Sequence, residues 1–126
     1  MPDLWPDDLG IISAKPPKAI LAEQGEALSR KTQYAVRGEV VTVRAQGNIF
    51  MHRFDLVAPA LNDYRYSLFR FSHGIGLYPV TVTDCEALEG GEGTYASEAE
   101  FVEGVRYIFG AQTTLKVVSS LIIQSR

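Results

Sequence analysis

The chain has little of what most catalytic or secreted folds are recognised by: one cysteine, two histidines and one tryptophan in 126 residues. Cys85 has no second cysteine to pair with, so no internal disulfide staples the fold. Its flanking carboxylates, Asp84 and Glu86, raise a thiol's pKa and argue against a reactive thiolate. His52 and His73 show no His-x-His, His-x-x-x-His or Cys-x-x-Cys spacing, and a zinc site needs three or four ligands, so no metal is expected. No apolar run approaches the roughly 20 residues of a membrane helix. The start, Met1-Pro2-Asp3-Leu4-Trp5-Pro6-Asp7-Asp8, lacks the basic and apolar regions of a signal peptide, and a cytoplasmic protein is expected.

Positive charge is also scarce. Lys and Arg total 12 against 15 Asp and Glu, and the net charge of -3 argues against a general phosphate-binding surface. There is no Gly-x-Ser-x-Gly elbow for serine chemistry. The cluster Gly90-Gly91-Glu92-Gly93 lacks the Lys-Ser/Thr of a phosphate loop and places Glu92 where an anion would approach. Asp84, Glu86, Glu89 and Glu92 do not have the spacing of an EF-hand loop. No cofactor is expected.

What the chain does have is apolar content, 46%, enough for a packed core. Residues 1–15 read as an irregular N-terminal arm, proline-punctuated and acidic. Leu4, Trp5, Leu9, Ile11 and Ile12 make it too apolar to float free, so it should lie against the domain or a partner subunit. Residues 16–126 read as a single α+β domain. Pro16-Pro17 opens a helix that runs to Lys31, with Ile20, Leu21, Gln24, Ala27, Leu28 and Lys31 on one stripe and Gly25 as a mild weakness. Strands follow at Tyr34 to Ala45, Ile49 to Val57, Tyr64 to His73 and Leu77 to Thr83, separated by turn-forming clusters. A phase switch at Val40-Val41 suggests a β-bulge, and Pro79 suggests a strand start or an edge position. Asp84 to Ala96 reads as a surface loop. Ser97 and Glu100 form a capping box for a helix carrying Phe101, Val105, Ile108 and Phe109, and residues 113 to 125 favour a further helix. The expected architecture is a two-layer sandwich: a four-stranded antiparallel meander flanked by one N-terminal and two C-terminal helices, in the order α-β-β-β-β-α-α.

Strand periodicity divides the side chains. Phe50, His52, Phe54 and Leu56, with Ser67, Phe69, Phe71 and His73, belong to the core face, joined by Val41 and Val43. The other face then carries Thr42, Arg44, Met51, Arg53, Asp55, Tyr64, Tyr66 and Arg70. Arginine and tyrosine concentrate binding energy at protein interfaces, so Arg44, Arg53, Asp55, Tyr64, Tyr66 and Arg70 form the candidate partner-binding face.

Three functional expectations follow. The first is a small protein-binding or oligomeric module without a catalytic signature, such as an adaptor, an inhibitor or an immunity-type protein. The alternative is a small enzyme with a pocket between sheet and helices, using His73 at a strand end, with Arg70 and Tyr78 as binding groups. A weaker alternative is single-stranded nucleic acid on the Arg/Tyr face, which the acidic net charge disfavours.

Overall fold

In the computed structural model, which describes residues 1–126, helix α1 (Pro17–Lys31) starts at the proline pair, with Pro16 at the N-cap position and no side-chain cap. Two left-handed residues, Gln33 and Tyr34 at φ 55 and 69, turn the chain from it into the sheet. The sheet is an antiparallel meander of β1 (Arg37–Gln46), β2 (Ile49–Ala58), β3 (Tyr64–His73), β4 (Val80–Thr83) and β5 (Gly93–Tyr95), neighbours in chain order. Helices α2 (Glu98–Gly110) and α3 (Gln112–Gln124) complete an α+β two-layer sandwich. The sheet therefore has five strands where the sequence pattern marks four. The additional strand is three residues long, opens on glycine and carries no alternation that periodicity could detect. It pairs with β4 from Val80 opposite Tyr95 to Val82 opposite Gly93. Strand β4 begins directly after Pro79, which accounts for the proline.

The C-terminal third follows its local signals. Ser97 Oγ accepts from the Glu100 backbone N–H at 3.2 Å, while the Glu100 carboxylate accepts from Ala96 N–H at 2.6 Å. That is a capping box with its return bond moved back by one residue. Residues 112 to 124 form a helix despite their valines and isoleucines.

The core lies between the inner face of the sheet and the three helices. Phe54, Phe69 and Phe71 from the strands meet Phe101 and Ile108 from α2, Leu21 from α1 and Leu121 from α3. Phe54 and Phe69 stack with ring centroids 5.7 Å apart, and Phe71 meets Phe101 at 6.3 Å. Each such side chain contributes on the order of 1.5–3 kcal/mol by leaving water. Gly25 of α1 lies backbone to backbone against Gly38 of β1, which lets the helix sit directly on the strand.

Two β-bulges set the faces, and both differ from the expected phase. In β1 the extra residue is Val43, between the pairs Thr42–His52 and Arg44–Met51, rather than at Val40-Val41. Val41 pairs with Arg53 on the outer face, Val43 is 38% exposed, and it is Val40, opposite Phe54, that faces the core. In β3 the extra residue is Leu68, between Phe54–Phe69 and Asp55–Ser67.

Candidate functional site

The bulge at Leu68 decides what the outer face contains. Beyond it, Leu56 pairs with Tyr66 and Ala58 with Tyr64, so both tyrosines belong to the helix side of the sheet. Uninterrupted alternation would place them on the outer face, and the extra residue in β3 reverses that. Directly opposed residues share a face, so Arg65 and Ser67 take the outer positions beside Val57 and Asp55. Of the six residues in the candidate partner face, Arg44, Arg53, Asp55 and Arg70 share the outer side. Arg53 pairs with Arg70, and Arg44 sits beyond the β1 bulge opposite Met51.

Apart from Arg44, the charges on that face are matched to one another. Asp55 is 1% exposed and accepts a bidentate pair of bonds from Arg53, at 2.7 and 2.8 Å, and one from Arg65 at 3.2 Å. Arg65 also reaches Glu39 at 2.8 Å, and Arg37 approaches Glu39 at 3.4 Å. The result is a ladder Arg37–Glu39–Arg65–Asp55–Arg53 across three strands. The Arg65 hydrogen bond, opposed by partial burial and helped by Arg37, holds the Glu39 carboxyl below its ordinary range. Arg70 lies 3.6 Å from Asp84. A buried carboxylate needs such partners, since an isolated one would be expensive to desolvate. Arg65, absent from the sequence-derived set, is the residue that joins the two halves of this network.

The histidines sit on the inner face. His52 and His73 are 5% and 9% exposed, and their rings stack with centroids 5.4 Å apart. Phe50 stacks on His73 at 5.6 Å, and Phe71 lies 5.0 Å from His52. His73 Nδ1 is 2.8 Å from the Gly74 carbonyl, so that nitrogen carries the proton. His52 Nδ1 lies 3.2 Å from the Thr42 hydroxyl. Burial first, then the charges of His73 and Lys18, hold His52 below the ordinary 6.5. No group of three His, Cys, Asp or Glu side chains converges on a possible metal position. Burial likewise pushes the Cys85 thiol up, and Tyr78 is raised to about 12 by desolvation and by Glu98.

The hollows lie elsewhere. One, of about 550 Å³, is an open groove between the start of β3 and α3, lined by Leu61, Tyr64, Tyr66, Lys116 and Leu121. A second, of about 240 Å³, lies between α1 and α3 and is floored by Phe54, Leu56 and Leu68. Neither histidine lines either of them.

The N-terminal arm is the most apolar exposed segment. Residues 1–13 are all exposed and form no helix or strand. Trp5 is 76% exposed, Leu4 81% and Ile11 88%. The arm's hydrogen bonds to the domain are all at its base. There Lys15 N–H donates to Glu98 at 2.8 Å, the Lys15 carbonyl accepts from the Tyr78 hydroxyl at 2.7 Å, and its ammonium pairs with Glu23 at 3.0 Å. Tyr78, considered above as a substrate-binding group, thus serves as the arm's anchor. No helix is long and apolar enough to cross a membrane. Comparison with family models, with curated proteins and with solved structures finds no match.

Proposed function

We propose that this chain is a protein-binding module that engages its partner, another protein or a second copy, through the N-terminal arm. One observation carries the reading: Leu4, Trp5, Leu9, Ile11 and Ile12 are held out in water by a domain that already has a complete core. Contiguous apolar surface of this kind is what an interface removes from solvent. The fixed base at Lys15 supports it, because the arm leaves the domain from a defined point. On the outer sheet face Arg37, Arg53 and Arg65 are engaged by Glu39 and Asp55 and Arg70 approaches Asp84, so Arg44 is its one arginine without an ionic partner.

A photo-crosslinking residue placed at Asp7, which leaves the apolar residues of the arm intact, and in parallel at Arg70, tests this in cells of the source organism. The expected result is one discrete adduct from position 7 and none from position 70. Adducts from position 70 alone would overturn the reading in favour of the outer face.

A further inference from the structure

The arm leaves the domain at the end of the sheet where two hairpins turn. Strands β1 and β2 reverse at Gly47-Asn48, between Gln46 and Ile49, and β3 and β4 reverse between His73 and Val80. Phe50 pairs with His73, and a β-carbon on Gly74 would stand 3.5 Å from the Asn48 carbonyl oxygen, so the two tips lie against each other. Tyr78, whose hydroxyl holds the Lys15 carbonyl, belongs to the second of them. Hairpin tips are ordinarily polar, and these are not. Ile75, between two glycines, is 74% exposed, and Ile49 is 50% exposed. Neither Ala45 to His52 nor Phe71 to Thr83 contains Asp, Glu, Lys or Arg. One end of the molecule thus carries an uncharged, partly apolar surface, and the most apolar exposed segment of the chain starts beside it.

Charge separates the arm from the rest of the chain. All 12 Lys and Arg lie from Lys15 onward, whereas of the 15 Asp and Glu three, Asp3, Asp7 and Asp8, precede it. The domain is therefore balanced, and the net side-chain charge of -3 resides in the arm. Two of these aspartates also shape it. Asp3 Oδ1 accepts from the Trp5 N–H at 3.0 Å, and Asp8 Oδ1 from the Gly10 N–H at 2.8 Å, so each keeps its second oxygen for another donor. Local bonds of this kind lower the cost of ordering a segment when it binds.

We propose that the arm's partner is a different protein with an apolar surface bordered by Lys and Arg, and that it covers the two hairpin tips together with the arm. This deepens the arm reading above and rests on it. The apolar residues of arm and tips supply the contact area, and the cationic border answers the aspartates. A second copy fits less well. A two-fold pairing of this end brings two acidic arms to one interface, and the balanced domain has no excess of positive charge to offer them. An anionic lipid surface or a nucleic acid repels the arm for the same reason.

The test places a photo-crosslinking residue at Ser13 in the arm, at Asn48 in the β1–β2 tip, and at Lys116, which lies beside Leu61 and Tyr64 at the opposite end of the sheet. All three aspartates of the arm stay in place. In cells of the source organism, Ser13 and Asn48 should give adducts of the same mass and Lys116 none. Mass spectrometry should find Lys and Arg in excess over Asp and Glu in the crosslinked region of the partner. Ile75→Asp, at a position exposed enough to leave thermal unfolding unchanged, should abolish both adducts, and Ile49→Ser should weaken them. Asp3→Asn, Asp7→Asn and Asp8→Asn together keep the turn bonds through the amide oxygen. They should cut the Ser13 adduct by roughly tenfold in lysate at low salt and by less at high salt. Adducts of twice the chain's own mass overturn the proposal in favour of a second copy. A Ser13 adduct without a counterpart at Asn48, one that survives Ile75→Asp, or one that the three Asn substitutions leave unchanged also overturns it, and the arm reading then stands alone. No adduct from position 7 or position 13 overturns both.

Discussion

Replacing Gly25 by alanine should destabilise the protein, against the usual sign. In an ordinary helix interior, alanine is favoured over glycine by about 1 kcal/mol. At position 25 a β-carbon would overlap the Gly38 carbonyl oxygen and stand 2.6 Å from its carbon and 3.0 Å from Gly38 Cα. These are backbone atoms of β1, held in register by the pair Gly38–Leu56, so no side chain can swing away. Relief requires α1 to lift from the sheet, loosening Ile20 and Leu21. Overpacking of this kind costs about 1–3 kcal/mol and occasionally more. Backbone contact places this site at the upper end, and after the propensity gain the net loss is about 2 kcal/mol. For a chain of this size that lowers Tm by roughly 6–10 °C. Urea unfolding followed by far-UV circular dichroism should show a lower midpoint with unchanged slope. Glu26→Ala, exposed on the same helix, is the control and should leave the midpoint in place. Gly38→Ala should also destabilise, since its β-carbon would stand 2.7 Å from Gly25 Cα and 2.5 Å from the Phe54 ring, and the double substitution should cost less than the sum, because one displacement of α1 relieves the helix–strand contact of both and leaves only the Phe54 contact. A rise in Tm for Gly25→Ala would refute the close helix–strand contact on which this reasoning depends.

Three further outcomes are expected. Gly104→Ala would place a methyl group in the Tyr95 ring; because a side chain can yield where backbone cannot, the loss should be about 1 kcal/mol, read as a small drop in thermal midpoint. Arg53→Ala removes both close bonds to the buried Asp55 and leaves the Arg65 contact at 3.2 Å. It should lose about 1–3 kcal/mol, and a cycle with Asp55→Asn showing no coupling between the two sites would contradict the ladder. The folded-state pKa of His52 is depressed below 6.5, so on acidification the unfolded chain takes up this proton before the folded one does. His52 therefore makes stability fall as pH drops below about 6.5, and the loss levels off once pH passes the folded value. His52→Gln should flatten that slope between pH 7 and pH 5, whatever it does to absolute stability.

The order of elements was legible because each carries a local signal with a physical cause. The proline pair at 16–17, the Ser97–Glu100 box and the turn at Gly47-Asn48 all sit where the structure begins or reverses an element. The faces were less legible, since they depend on counting by twos across a whole strand. The sequence does contain the interruption in β3. Its aromatics stand at 64 and 66 and then at 69 and 71, a change of parity centred on Ser67-Leu68. Aromatic residues on both sides of that step want the same apolar face, and one extra residue lets them share it. Alternation carried through without a break sends Tyr64 and Tyr66 outward and adds two aromatics to a face that otherwise holds arginines and carboxylates. The pairing of Gly25 with Gly38 could not be seen at all, because it joins two elements through backbone approach and leaves no trace in either local pattern.

The same shift in the β3 register changes which residue types are available for binding. Arginine is strong at interfaces when its guanidinium can bond to the partner. Arg53 and Arg65 already bond to Asp55 and Glu39, so a partner acting through them must first break charge-assisted hydrogen bonds. It would also leave Asp55 buried without its bidentate partner, at the cost of about 1–3 kcal/mol set out above for Arg53→Ala. Trp5 presents the opposite case. It gives up only contact with water, and full burial of its 150–250 Å² returns roughly 4–6 kcal/mol at 25 cal/mol per Å² before ordering of the arm is counted. On this comparison, substitutions on the outer face should act mainly on stability, and substitutions in the arm mainly on association. Measuring both quantities for Arg53→Ala and Trp5→Ala separates the two surfaces. Loss of association in Arg53→Ala with stability intact would return the binding role to the sheet.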